Sequence, residues 1–295
     1  MPLPEPLRGE VRRVALFTHG VAETIGDGLE RTQRVAERCG VALLLAEEER
    51  LKHRLGADGD DLGEIDLALV LGGDGTMLRT LARFLDSGVP VLGVNYGRVG
   101  FLTSVRREAL EEDLARAFAG ELDVVSLPTL EVEAGGEQRV AINDVVATSA
   151  ALGRIVELDW QMGAEDLGCQ ACDGMVFAAP AGSTAYNLSN GGPVLVWGVD
   201  AMAVTFLAPH ALRVRPLVAP RGRPITIRNT TSDVSVAVLA DGHRFTELEM
   251  GDALTVALGE RFSRLAVLRG TTFFRRYHEV FFPENVVPGE CEGRG

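Results

Sequence analysis

The stretch LVLGGDGTMLRTLARFL, Leu69 to Leu85, decides the fold. An apolar run stops at three glycines set around one aspartate, and an amphipathic segment follows at once. This is how a buried parallel strand hands over to the helix that covers its sheet. The same grammar extends on both sides, through VALFTHG (14–20), GLERTQRVAERCG (28–40), VALLL (41–45), IDLALVL (65–71), TMLRTLARFL (76–85), VPVLGVN (89–95) and REALEEDLARAFAG (107–120). Gly40, Gly88 and Gly120 stand where helices need C-terminal caps. These segments predict an α/β N-terminal domain built on a parallel sheet.

After residue 121 the pattern changes. LEVEA, RVAINDVVA, RIVELDWQM, PITIRN, VSVAVLA and ALTVALG read as strands joined by turn signals such as Gly135-Gly136 and Gly163. Val156, Leu158, Trp160 and Met162 alternate with Glu157, Asp159 and Gln161, the period of a strand with one buried face. The expectation is a mainly antiparallel β-rich C-terminal domain. The boundaries fall at 1–120 and 121–270, with the aromatic segment TTFFRRYHEVFF (271–282), within 271–295, rejoining the first domain.

Composition removes several classes of function. A net charge of −13 argues against nucleic acid or an anionic membrane as partner. The start, MPLPEPLRGEVRRV, has no apolar core of a leader, and no run approaches a membrane span of about 18 residues; the expected location is the cytoplasm. Four cysteines, Cys39, Cys169, Cys172 and Cys291, are too scattered for a disulfide framework, and the single CxxC reads as two half-buried thiols on a strand. The one lysine, Lys52, follows no glycine-rich loop. That closes the P-loop and protein-kinase routes to phosphoryl transfer, since each needs a lysine on the phosphates.

The chemistry must then come from GGDGT and its companions. Gly72, Gly73 and Gly75 let a phosphate approach main-chain N–H groups, and Thr76 opens a helix whose N-terminus favours an anion. Asp74 is a group that can take a proton from an attacking hydroxyl. Taken alone, the loop reads equally well as a turn with an incidental acid. GVNYGRVGFLT (93–103) follows the next strand, so it lies on the same sheet edge, and its Arg98 can neutralise phosphate, whereas Phe101 by itself reads as core. In AINDVVA (141–147), Asn143 and Asp144 interrupt an apolar strand, either capping local backbone or facing a ligand. DGMVFAAPAGSTAYNLSNGGPV (173–194) places Gly182, Ser183, Thr184, Ala185 and Tyr186 at the start of an expected helix that closes at Gly191-Gly192-Pro193. So many small and hydroxylic residues suit a polar ligand lying on the backbone.

Together, and in this order, GGDGTML, NYGRVGFLT, IND, DGxxxxxPxGSTAYxLSxGGP, APHALRVRPLV (208–218) and ADGH (240–243) resemble the NAD kinase family over residues 11–282. GGDGT alone is shared with diacylglycerol and sphingosine kinases, and in altered form with 6-phosphofructokinases; the GSTAY segment discriminates. The resemblance implies a Rossmann-like, phosphofructokinase-like α/β domain, a β-rich domain, and a site in the cleft between them. It implies transfer of the γ-phosphoryl group of ATP to the 2′-hydroxyl of the adenosine ribose of NAD.

By that resemblance Asp74 is the base, and Gly72, Gly73, Gly75 and Thr76, with Arg79 and Arg98, form the phosphate side. Asp74, Gly75, Phe101, Asn143, Asp144, Asp173, Thr184, Ala185, Tyr186 and Ser189 form the NAD side. Mg²⁺ is expected to come with ATP, and no protein ligands for it are assigned. Polyphosphate is an alternative donor, and a homodimer or homotetramer is expected, with each NAD site completed by a neighbour. The chain departs from the family at Ala181, Cys172 and His243, where threonine, serine or alanine, and glutamine or arginine are common. His19 and His210 receive no role. The alternatives are a lipid or sugar kinase of the GGDGT type, or a non-catalytic NAD-binding module.

Overall fold

The computed structural model describes residues 4–97, 100–211 and 213–282. Arg98 lies outside the described residues. The chain forms two compact units: Pro4–Thr80 with Val89–Val124 and the segment from Leu265 onward, and Leu81–Gly88 with Val125–Arg264.

The first unit is built on a parallel sheet. Its strands lie in the order Ala42–Leu44, Arg13–Thr18, Leu67–Gly72 and Val91–Asn95, followed by the end of the long strand Ala253–Leu268. Leu69 pairs with Leu16 on one side and Leu92 on the other, and Leu265 lies opposite Val91. All six residues of Leu67–Gly72 are buried, as a strand covered on both faces requires. Val14, Leu16, Leu69, Leu71, Leu92 and Val94 meet Val35, Ala36, Leu110 and Leu114 from the helices Gly28–Cys39 and Leu110–Phe118 in one core. Gly40 ends the first of these helices in the left-handed conformation, at φ 69°. The helix after GGDGT begins at Asp74 and runs to Arg83, two residues earlier than Thr76.

The second unit contains two antiparallel sheets. One runs Glu165–Cys172, Val156–Met162, Ile225–Asn229 and the beginning of Ala253–Leu268. The other runs Leu217–Pro220, Ala201–Leu207, Gly174–Ala178, Asp144–Ser149, Val236–Ala240 and His243–Leu248. Residues of both, among them Leu158, Ile227, Val256, Phe177, Val204 and Val238, share one core, in which Trp160 meets Phe206 edge-on at 5.3 Å. The alternation at 156–162 is kept, with Val156 and Leu158 fully buried and Glu157, Asp159 and Gln161 exposed. Gly135 and Gly136 both take positive φ in the hairpin between Leu122–Ala134 and Glu137–Ala141, as a two-residue turn of that hand demands. Cys169 is exposed and Cys172 buried on one strand, and burial pushes the Cys172 thiol up to about 11.

The fold class is therefore the one expected, α/β followed by β-rich. The GSTAY segment differs locally: a 3-10 turn, Gly182–Thr184, and a single helical turn, Tyr186–Ser189, replace one helix. Ala185 separates them with φ −98° and ψ −126°, far from helical values. Among the described residues no helix is long and apolar enough to cross a membrane.

Candidate active site

Parallel pairing puts the ends of Leu67–Gly72 and Val91–Asn95 on one edge, with Gly72 opposite Asn95 and the Tyr96 N–H donating to the Gly72 carbonyl at 3.0 Å. GGDGT and the segment after Asn95 thus lie side by side, as their order in the sequence implied. Asp74 is held from that second segment: the Phe101 N–H donates to Oδ2 at 3.0 Å and the Leu102 N–H to Oδ1 at 3.2 Å. Gly100 is glycine because a Cβ there would fall on the Asp74 carboxylate.

Burial raises the Asp74 carboxyl above its ordinary value, against the opposing pull of the two N–H groups and of Arg276. Thr76 is buried, and its hydroxyl accepts from Arg79 at 3.3 Å, with Arg79 itself exposed. The ring of Phe101 is buried against Phe273 and Phe281, with centroids 5.8 and 5.5 Å away.

In the second unit Asn143 and Asp144 are both buried. Sequence leaves open whether the pair caps backbone or faces a ligand; in the structure a third residue, Asp241, caps the local backbone. The N–H groups of Ile142, Asn143 and Asp144 all donate to the Asp241 carboxylate, at 2.8, 2.7 and 3.2 Å. Asn143 Oδ1 is buried with no hydrogen-bond partner.

The two carboxyls titrate unequally. Asp241 keeps three N–H donors, which oppose the effect of its burial, while burial and the neighbouring Asp241 charge both push Asp144 up, from 3.8 to about 7. A carboxyl raised on folding stabilises the fold below pH 4, and that contribution is lost as pH rises to 7. The stability gained by Asp144→Asn over wild type is therefore expected to grow between pH 4 and pH 7 in thermal melts. A difference that stays flat across that range would mean that Asp144 ionises freely.

The GSTAY turn lies against this pair. Ala178 pairs with Asp144, the Ala179 N–H donates to the Asn143 carbonyl, and a Cβ at Gly182 would fall on the Asn143 backbone. Its residues sort into two faces. Ser183 and Asn187 point inward and are satisfied: Ser183 Oγ donates to the Pro180 carbonyl, and Asn187 bonds the carbonyls of Ser183 and Pro193 and the Thr205 hydroxyl. Thr184 and Ala185 are half-buried and Tyr186 and Ser189 exposed, so the expected NAD-side residues of this turn occupy its outer face.

Asp173 is not brought to the pair. It precedes the strand Gly174–Ala178, whose other end meets Asp144, about 17 Å away at roughly 3.4 Å per residue. The departures from the family pattern are mild in place: Ala181 and Cys172 are buried, and His243 is exposed with its ring on the Asp241 carbonyl.

Two residues at these positions escaped sequence reasoning. Asp241 was visible only as part of ADGH, and Arg276 only as one of two arginines in an aromatic segment. A concavity of about 500 Å³ is lined by Asp86, Glu131, Arg139, Thr255 and Arg261 among others, and none of the expected site residues lines it.

A parallel sheet thus delivers GGDGT to its carboxyl edge, and a β-rich unit follows it in the chain. Residues 18–122 match the ATP-NAD kinase N-terminal domain, and residues 142–267 the ATP-NAD kinase C-terminal domain. The NAD kinase of Heliobacterium modesticaldum is 37% identical over 225 residues, 75% of this chain and 80% of its own length. That of Symbiobacterium thermophilum is 36% identical over 258 residues, 84% and 90% of the two chains. An NAD kinase from Archaeoglobus fulgidus, solved in complex with ATP, superposes with a TM-score of 0.71 at 25% identity, covering 91% of this chain and 98% of that one. Yeast NADH kinase complexed with NADH shares the fold, with a TM-score of 0.81 at 21% identity over 97% and 90% of the two chains. The chain belongs to the NAD kinase family.

Proposed function

We propose that this chain transfers the γ-phosphoryl group of ATP to the 2′-hydroxyl of the adenosine ribose of NAD, giving NADP and ADP. The observation that carries the reading is the Asp74 carboxylate, half-buried, fixed by one N–H on each oxygen, and set beside a glycine turn on the carboxyl edge of a parallel sheet. Each oxygen keeps a lone pair for a hydroxyl. The 2′-oxygen attacks the γ-phosphorus, the bond to the β,γ-bridging oxygen breaks, and the hydroxyl proton passes to Asp74. Such a transfer asks the protein for positioning and charge neutralisation more than for covalent work.

The phosphate side in this reading is Gly72, Gly73, Gly75, Thr76 and Arg79, with Arg98. A Cβ on Gly73 or Gly75 would meet nothing within 4 Å, and neither glycine has positive φ. The fold does not need glycine there, whereas a phosphate approaching the backbone does. Gly75→Ala, inside a helix, is expected to leave Tm unchanged or raise it, since alanine is favoured over glycine by about 1 kcal/mol, and to raise KM for ATP at least tenfold. Unchanged ATP kinetics would remove the glycine from the phosphate site.

On the NAD side, Asn143 Oδ1 offers its unpartnered acceptor to the adenosine half, and Asp144 can donate or accept near neutral pH. Thr184, Ala185, Tyr186 and Ser189 line the dinucleotide with the outer face of their turn. Phe101 contributes its N–H through Asp74, its ring being packed against Phe273 and Phe281. Asp173, remote from the pair, serves a site completed by a neighbouring copy in a homodimer or homotetramer. Full activity in a species that sediments as a monomer would refute that assignment.

Mg²⁺ enters this reading with the ATP substrate; among the described residues no group of three histidine, cysteine or carboxylate side chains could hold a metal ion. NADP formation from NAD and MgATP, with polyphosphate as a second donor, tests the reaction. Folded protein that binds NAD and yields no NADP from either donor would overturn it.

A further inference from the structure

We infer that Arg276, on the C-terminal helix Phe273–Phe281, is a positioning residue for Asp74: through the Gly100 carbonyl it fixes the loop whose N–H groups hold the carboxylate. The inference rests on the reading of Asp74 as the base.

The helix is anchored without the arginine. Thr272 caps it, accepting the Arg275 N–H at 3.2 Å, and Phe273 and Phe281 close on the Phe101 ring. An apolar residue at 276 would serve packing alone and avoid the desolvation cost of burying an imperfectly paired guanidinium. Yet Arg276 is only 6% exposed. Its Nη2 donates to the Gly100 carbonyl, its Nη1 to Glu279 Oε2 at 2.7 Å, and its Nε has no partner.

Gly100 is also the residue against which the Asp74 carboxylate rests, with no room for a Cβ between them. The guanidinium, the Gly100 carbonyl, the two following N–H groups and the carboxylate therefore form one chain of contacts. Among the described residues, Arg276 is the charged side chain that acts on Asp74, and the Gly100–Leu102 segment faces it with backbone N–H groups. Glu279, 42% exposed and shared with Arg275, offsets part of the Arg276 charge. The arginine thus supplies orientation through the loop and a cation that favours ionised Asp74.

The test is the pH dependence of kcat in the full chain, with NAD and MgATP saturating, for Arg276→Gln, Arg276→Lys, Glu279→Gln and Asp74→Asn. Arg276→Gln is expected to lower kcat about tenfold or more at neutral pH, to leave KM for NAD within about twofold, and to move the acid limb to higher pH. Arg276→Lys should restore the acid limb while recovering only part of kcat, because the charge returns without the planar fork. Glu279→Gln, at a half-exposed position that tolerates the change, should move the acid limb to lower pH by removing the counter-charge. An acid limb that stays put in Arg276→Gln, or that Glu279→Gln leaves in place or moves upward, would overturn the inference. So would equal behaviour of the glutamine and lysine variants. Turnover retained in Asp74→Asn would instead sink the reading of the base, whatever the arginine series shows.

Discussion

Asp74→Asn is expected to bind NAD with a KM close to wild type and to lose about 10²–10⁴-fold in kcat, the range for removing a general base. The substitution is close to neutral for the fold, because two changes oppose each other. Asparagine removes a charge that burial makes costly, and it turns an NH₂ toward one of the N–H groups of Phe101 and Leu102, leaving that donor unpaired. An unpaired buried donor costs about 1–3 kcal/mol. A Tm within a few degrees of wild type therefore separates loss of chemistry from loss of structure. Rapid NADP formation by a folded Asp74→Asn protein would show that the proton leaves by another route.

Gly182→Ala is expected to have the largest effect on the fold among the site substitutions. The added Cβ would coincide with the backbone of Asn143, whose carbonyl is already engaged by the Ala179 N–H. Backbone cannot swing aside as a side chain can, so either the turn or the strand start must move, at a cost of about 1–3 kcal/mol or more. The expected result is a lower Tm with a rise of tenfold or more in KM for NAD, since the turn and the Asn143-Asp144 pair shift against each other. Equal KM in the variant would mean that the GSTAY turn does not bind the dinucleotide. The contrast with Gly75→Ala is instructive: one glycine makes room for the protein's own backbone, while the other leaves open space beside it.

What the sequence disclosed follows from what leaves a local trace. The buried strands of the first unit appear as continuous apolar runs, and the second unit's strands as alternation, because burial on one or two faces writes itself into the period. GGDGT was visible as a strand end, and parallel pairing then obliged the loop after Asn95 to lie beside it. The helix starts two residues before Thr76, a shift the sequence hides because no side chain before Asp74 supplies a capping signal. The GSTAY stretch predicts one helix because small residues carry no period to mark a break, and the structure interrupts it at Ala185, where the backbone leaves helical angles.

Asp241 cradles N–H groups nearly a hundred positions earlier in the chain, and Arg276 meets a carbonyl 176 positions away. Contacts at such separations depend on tertiary placement and leave no spacing to read. Buried Asn143 and Asp144 could be flagged as polar residues in an apolar strand, while their partner could not.

The order of the strands also bears on how the protein is made. Val91 and Leu92 find their outer neighbours only at Leu265 and Ala266, so during translation that stretch of the sheet waits with unpaired backbone while most of the second unit emerges. At about 5–20 residues per second the wait lasts roughly ten to thirty seconds. The loop that grips Asp74 waits about as long for the helix Phe273–Phe281. The β-rich unit, which runs to Arg264, and the helix Phe273–Phe281 are therefore completed almost together at the end of synthesis, and the N–H groups on Asp74 depend on a segment encoded some two hundred residues downstream.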